Sequence, residues 1–407
     1  MKLIERKHYL DTLISLVGTP DIKVITGIRR CGKSFLLQDF VEYLLKSRPG
    51  TNIININLQD LDYTKLKQYQ DLHDYCMERY DKKGLNVLIV DEVQLCDHFE
   101  LAINSLHSKG LFDIYITGSN AFLLSSDLAT LFTGRTMEIK VFPFSFTEYL
   151  SYFGKSNDID AAFDEYVRIG GLPGAYVYKT EKQRHEYVSE VYETILVRDL
   201  VQKYKIRNKT EFIRIADFMQ DNIANLLSVN NICDALNNDG SMITVKTVSK
   251  YISYLENAFL LYNAVRYDLK GKKYLKSGEK YYLSDPSIRY AILGTRNMDF
   301  GHMYENIVYI ELLRRGYDVY VGKLYKNEVD FVAKRQSELI YIQVSDDISS
   351  KKTFERETRS LLAIPDAYPK LIVARTRHED YDYKGITIKD LARWLADTPL
   401  YFSLTAY

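Results

Sequence analysis

The sequence predicts an α/β protein built on a parallel sheet, and three stretches predict it. Ile22-Lys23-Val24-Ile25 is a strand-like run. Gly27-Ile28-Arg29-Arg30-Cys31-Gly32-Lys33-Ser34 reads G-x-x-x-x-G-K-S, and Leu36, Leu37, Phe40, Val41, Leu44 and Leu45 then recur at helical spacing. Strand, glycine loop and helix, in that order, are the context in which such a loop cradles phosphates. The third stretch, Asn86 to Val90, is apolar and ends in Asp91 and Glu92, as a buried parallel strand with acids at its carboxyl end does.

Each residue type in the loop has a physical reason. Gly27 and Gly32 permit a tight turn that aims backbone N–H groups at phosphate oxygens. Lys33 supplies a cation for the β- and γ-phosphates, and Ser34 a hydroxyl for Mg²⁺. The expected ATP-contacting residues are therefore Gly27, Ile28, Arg29, Arg30, Cys31, Gly32, Lys33, Ser34 and Phe35. The following helix adds the partial positive charge of its N-terminus and is expected to stop at Pro49-Gly50. Asp91 completes the expected Mg²⁺ shell and Glu92 polarises the attacking water; the alternative is that these acids only cap the next helix.

Bulk properties narrow the class. A chain of 407 residues that is 46% hydrophobic can bury about two to four cores. Lys and Arg number 54, as do Asp and Glu, so any nucleic-acid site must be a local patch. Cys31, Cys76, Cys96 and Cys233 form no C-x-x-C pair and read as free thiols of a reducing compartment. The apolar stretch from Leu13 to Val17 is too short for a signal sequence, and no run approaches the ~18 residues of a spanning helix. A cytoplasmic protein without a membrane partner is expected.

Further strands are expected at Thr51 to Leu58, Asp113 to Thr117 and Met137 to Val141, with Gln59 to Lys83 mostly helical. The fourth strand runs into Gly118-Ser119-Asn120. Asn120 there is a candidate sensor of the γ-phosphate or the water, while Ser119 also reads as a helix N-cap. Arg135, after Gly134, is either an arginine finger or an ordinary surface arginine.

Taken together, these residues carry a resemblance. Leu3-Ile4-Glu5-Arg6 through Gly27-Ile28-Arg29-Arg30, Val90-Asp91-Glu92-Val93-Gln94, Thr117-Gly118-Ser119-Asn120 and Gly134-Arg135 look like one prokaryotic family of AAA+ ATPases with a C-terminal region of unknown function. Gly170-Gly171-Leu172-Pro173 and Glu328-Val329-Asp330-Phe331 match it too, so the resemblance spans nearly the whole chain. It implies a P-loop AAA+ core with a five-stranded parallel sheet, ATP hydrolysis with Mg²⁺, and a homo-oligomer in which Arg135 acts on a neighbour's ATP.

Beyond the core, Phe146 to Phe153, Asp158 to Ile169 and Lys182 to Lys205 read as helices, fitting the helical lid of such ATPases. Ser228 is an expected N-cap for a helix reaching Leu236, and Val245, Val248, Ile252 and Leu255 line a second. A strand from Phe259 to Val265 follows, and the whole resembles a winged helix. Arg266 to Lys280 sets six cations against two acids. Lys270, Lys272, Lys273 and Lys276 are candidate DNA contacts, which Lys246 and Lys250 would extend. The alternatives are a solvated hairpin whose lysines protect an edge and a protein-binding module.

The last part resembles a restriction-endonuclease-like domain. Glu305 on a helix and Asp330 on a strand match the metal-binding acids of that fold, but Gln343-Val344-Ser345 stands where Glu-x-Lys is expected. Lys351 is the nearest candidate to replace the lysine. The expected domains are residues 1–145 (AAA+ core), 146–205 (lid), 206–290 (winged helix) and 291–407 (endonuclease-like, without activity). The functional expectation is an ATPase coupling nucleotide state to the winged helix. A slow nucleotide-gated switch for a protein partner is the alternative, and a metal-dependent nuclease is disfavoured.

Overall fold

A computed structural model describes residues 4–118, 132, 134–240, 242–294 and 299–397, and the side chains of all of these except Lys276 and Ser277. The chain divides into two compact units, Leu3–Val141 and Phe142–Tyr401.

In the first unit β1 (Ile22–Thr26), β2 (Asn52–Asn57), β3 (Asn86–Asp91), β4 (Asp113–Thr117) and β5 (Thr136–Lys140) form a wholly parallel sheet in the order β2-β3-β4-β1-β5. Parallel neighbours need crossovers, and the helices Lys33–Ser47, Tyr69–Glu78 and Phe99–Ser108 lie in those connections. Strands β1, β3 and β4 are buried along their whole length, which is why they read as continuous apolar runs. Lys23 on β1 is the exception. Its ammonium is fully buried, 2.6 Å from Asp113 Oδ1 on β4 and 2.6 Å from the carbonyl oxygen of Thr19. A helix at Lys7–Ser15 precedes the sheet, buries Tyr9, Leu10 and Leu13, and was not expected from the sequence.

The second unit begins with the helices Phe146–Phe153, Ile159–Ile169 and Glu181–Glu193, the last continuing as π turns through Thr194–Val201. Ser145 and Glu148 close a capping box on the first of them. The segment expected as a lid packs within this unit, against the helices Pro286–Leu293 and Leu391–Ala396. Gly170 and Gly171 explain themselves here. A Cβ on Gly170 would stand 1.9 Å from Asp285 Oδ1, and one on Gly171 2.2 Å from the Phe144 carbonyl oxygen. The Gly171 N–H donates to the buried Asp285 carboxylate at 2.6 Å, so this glycine pair is the seat of a buried acid.

The helices Lys209–Asp221, Val229–Asn238 and Val245–Asn257 precede a hairpin of β6 (Leu261–Asp268) and β7 (Lys273–Leu283). Ser228 caps the second helix as expected, accepting from Asn231 N. Val248, Ile252 and Leu255 face inward, whereas Val245 is exposed. Leu227 and Glu279 form an isolated antiparallel bridge beside the hairpin.

The expected boundary at 290/291 does not divide the sheet. Strands β8 (Asp318–Leu324), β9 (Asn327–Arg335), β10 (Glu338–Ser345), β11 (Lys370–Ala374), β12 (Tyr381–Tyr383) and β13 (Ile386–Asp390) join the hairpin in one eight-stranded sheet, β12-β13-β11-β10-β9-β8-β6-β7. A two-stranded ribbon leaves one backbone edge of β6 open, and β8 takes it in parallel from Arg266↔Val321 to Asp268↔Lys323. The helix Phe300–Arg314, buried along most of its length, covers β7 to β10. No helix among the described residues is long and apolar enough to cross a membrane. All four cysteines are free and buried.

Candidate nucleotide site

The glycine loop leaves β1 at Thr26. Gly27 has φ 141°, and a Cβ there would stand 2.0 Å from the Val141 carbonyl oxygen, so only glycine lets the loop lie against the end of β5. Gly32 is the left-handed N-cap of the helix Lys33–Ser47, with no side chain capping that end. The first-turn N–H groups of a helix have no acceptor within it, so this terminus presents donors and partial positive charge to the loop's mouth. The Lys33 ammonium lies within the loop, donating to the carbonyl oxygens of Gly27 at 2.8 Å and Ile28 at 3.1 Å. Behind the loop, Arg6 donates to the Cys31 carbonyl oxygen at 3.1 Å, and the buried Cys31 thiol meets the Val141 carbonyl oxygen at 3.2 Å.

Because β1 and β3 are parallel, Thr26 and Asp91 end at the same edge of the sheet. Asp91 is buried and accepts from the Thr117 hydroxyl, whose oxygen in turn accepts from Glu92 N at 3.2 Å. Thr117 thus positions both acids, a role the sequence reading missed. Glu92 has left-handed backbone (φ 57°, ψ 46°), and its carboxylate accepts from the Gln94 side chain. Ser34, Phe35, Leu37, Gln38, Asn55, Asn57 and Asp91 line an open cleft of about 400 Å³. Asn55 and Asn57 were also missed. Their alternation in β2 announced a strand, but the register Asn57↔Asp91 is what brings them to the cleft.

The donor set fits a Mg²⁺-bound triphosphate. A hydroxyl and a carboxylate are hard oxygen ligands, and Mg²⁺ commonly takes few protein ligands beside phosphates and water. No cluster of three or more His, Cys, Asp or Glu side chains able to hold a metal occurs among the described residues. Arg135 is exposed, and its carbonyl oxygen accepts from Ile22 N at 2.9 Å, beside the first residue of β1. It therefore sits at the opposite end of the sheet from the loop of its own chain. Asn120 and Ser119 lie outside the described residues.

Comparison with known proteins matches three family models along the chain. Residues 19–150 match the family described as AAA domain, 160–299 a domain of unknown function (DUF8612) and 300–394 another (DUF4143). A Haemophilus influenzae protein, named only as uncharacterized, is 35% identical over 398 residues, covering 97% of this chain and 98% of its own. The chain belongs to that protein's family. A Methanocaldococcus jannaschii protein, likewise named as uncharacterized, is 26% identical, covering 94% of this chain and 88% of its own. Among solved structures, the Walker-type ATPase of Pyrococcus abyssi aligns with a TM-score of 0.46 at 17% identity, covering 71% of this chain and 95% of that one. The first unit of this family member is a P-loop, AAA-type nucleotide-binding ATPase domain.

In the second unit Lys270, Lys272 and Lys273 are exposed, as are Lys246 and Lys250; the Lys276 side chain is outside the described residues. The β8–β9 turn adds exposed Tyr325 and Lys326 beside the β6–β7 hairpin. Lys270 lies 5.0 Å from the Tyr325 ring centre, and Leu269 N donates to the Lys323 carbonyl oxygen at 2.9 Å. Lys280, expected among the wing cations, is instead 5% exposed and turned inward, because β7 pairs there and buries that face. Glu305, Asp330 and Gln343 do converge, with Asp330 N donating to the Gln343 side-chain oxygen at 3.3 Å. Lys351 does not join them: it is exposed and pairs with Glu355 at 3.9 Å.

Proposed function

We propose that this protein is an AAA+ ATPase that hydrolyses ATP with Mg²⁺ and passes its nucleotide state to the winged-helix part. The observation that carries this reading is the meeting of Lys33, Ser34, Asp91 and Glu92 at one sheet edge. ATP, when bound, supplies the phosphoanhydride to be cleaved. Lys33 would exchange two loop carbonyls for phosphate oxygens, and Ser34 and Asp91 would hold Mg²⁺, which supplies charge neutralisation at the phosphates. Glu92 orients the water and accepts its proton. Asn120 serves as sensor, and Arg135, remote from its own loop, acts on the ATP of a neighbour in a homo-oligomer. The wing offers Lys270, Lys272, Lys273 and Lys276 to a DNA phosphate backbone.

A slow nucleotide-gated switch is favoured by one feature, the Gln94 side chain donating to the Glu92 carboxylate and so engaging the group that would otherwise meet the water. One experiment separates these readings. Lys33→Ala should lose ATP binding, while Glu92→Gln should retain ATP and lose at least about a hundredfold in phosphate release. Parental turnover by Glu92→Gln would sink the base assignment. A parent that retains ATP but scarcely turns it over would favour the switch.

A further inference from the structure

Beneath the helix Phe300–Arg314, the sheet of the second unit buries Lys280, Glu305 and Asp330, with the half-exposed Glu328 at their rim. The Lys280 ammonium, on β7, lies 3.0 Å from Glu305 Oε1, 2.9 Å from Glu328 Oε1 and 3.7 Å from Asp330 Oδ1. Glu305 comes from the helix, and Glu328 and Asp330 from one face of β9, so three carboxylates converge on one nitrogen. Two of them are held by further donors. Glu305 accepts from the Tyr282 hydroxyl at 2.7 Å, and Asp330 from Val344 N at 2.8 Å. Burial opposes the charge on Lys280, but Glu305, Asp330 and Glu328 outweigh it and hold the ammonium protonated. Burial, then Glu305, pushes the Asp330 carboxyl above its ordinary range, against the pull of Lys280 and of its hydrogen bond from Val344 N.

We propose that the Lys280 ammonium is the resident cation of this cluster, standing where a divalent metal would otherwise bind, so that Glu305, Glu328 and Asp330 take up no metal ion. An ammonium has three N–H donors, and three carboxylates surround it. A metal binds carboxylate oxygens at roughly 2.0–2.6 Å, so an ion bridging these same groups would overlap the ammonium and be repelled by it. Gln343 contributes a dipole where a further anion would strengthen metal binding. The substitution also has a structural consequence. Lys280 belongs to the wing hairpin and its partners to the endonuclease-like elements, so the ion pairs clasp the two without needing a metal.

The test is Mn²⁺ binding followed by electron paramagnetic resonance in the nucleotide-free full-length protein. Asp91→Asn is present throughout, to remove the metal ligand of the first unit. With Lys280 intact, no site tighter than about 1 mM is expected. Lys280→Met should open one site at least tenfold tighter, lost again when Asp330→Asn is added. The proposal is overturned if the Lys280 protein binds Mn²⁺ tighter than about 0.1 mM and Asp330→Asn removes it. It is equally overturned if Lys280→Met, folded by circular dichroism, binds none. Should Lys280→Met fail to fold, the comparison of the Lys280 protein with and without Asp330→Asn decides alone.

Discussion

At the residue scale, the buried pair Lys23–Asp113 shows how one polar contact sets the tolerance of a core. Both groups are almost wholly out of water, and Gly18 N adds a donor to Asp113 at 2.9 Å. Removing one partner leaves an uncompensated charge between β1 and β4. Asp113→Ala should therefore destabilise the first unit by about 3–5 kcal/mol in urea unfolding, while Lys23→Met with Asp113→Leu should recover most of that loss. A single-mutant loss below about 1 kcal/mol would show that the pair is hydrated. Glu256 makes a pH argument. Burial, then Glu279, raises its carboxyl from 4.5 to about 7. The folded state thus keeps a proton that the unfolded chain releases between those values, so stability falls as pH rises through that window. Melting followed from pH 4.5 to 7 should show this slope, and Glu256→Gln should flatten it.

At the element scale, periodicity found most strands and helices because each has one period and one dominant environment. β3 is apolar from Val87 to Val90 since both faces are covered, and Val248, Ile252 and Leu255 repeat at helical spacing since one face is. The helix Lys7–Ser15 escaped because only Tyr9, Leu10 and Leu13 are buried, too few to declare a period. The β6–β7 hairpin was legible as a basic hairpin but not in its make-up. Past the register shift of the hairpin, β7 turns Lys280 inward while Lys273 stays exposed, and the β8–β9 turn adds Lys326 and Tyr325. If the wing meets phosphates, changing Lys270, Lys272 and Lys273 to Glu should abolish duplex DNA binding. Neutralising each to Gln should lower the slope of log affinity against log salt by about 0.9 per lost contact. An unchanged slope in a filter-binding series would move the contact elsewhere, and no binding by the parent at low salt would leave the protein-partner reading.

At the scale of the whole molecule, Arg135 stands at the far end of the sheet from the nucleotide loop of its own chain. The residue lies at the end of the first sheet remote from its own Lys33 and Ser34, so a role in phosphoryl transfer requires a second chain. Activity should then rise steeply with protein concentration. Arg135→Ala and Lys33→Ala proteins, each inactive alone, should regain activity on mixing, because a composite interface joins an intact loop to an intact arginine. Phosphate release with mass photometry on the same samples tests this. Co-assembly without recovered activity would return Arg135 to an ordinary surface role.

The nucleotide loop was determined by local sequence. Gly27, Gly32, Lys33 and Ser34 act within one turn of backbone, and φ preference and helix polarity operate over a few residues. The acids of β3 were legible for the same reason, as the end of a short apolar run. Tertiary structure alone decided what depends on register and strand order. Thr117 reaches Asp91 because β4 lies beside β3. Asn57 reaches the cleft because it pairs with Asp91, and β6 extends the C-terminal sheet because β8 takes its open edge. Lys280 is the clearest case. Sequence marks it as one more lysine of a basic hairpin, and only the packing of the helix Phe300–Arg314 over both β7 and β9 surrounds it with carboxylates from 25 to 50 residues away. Side-chain chemistry is written in the chain, but the partner that gives a buried charge its meaning is supplied by the fold.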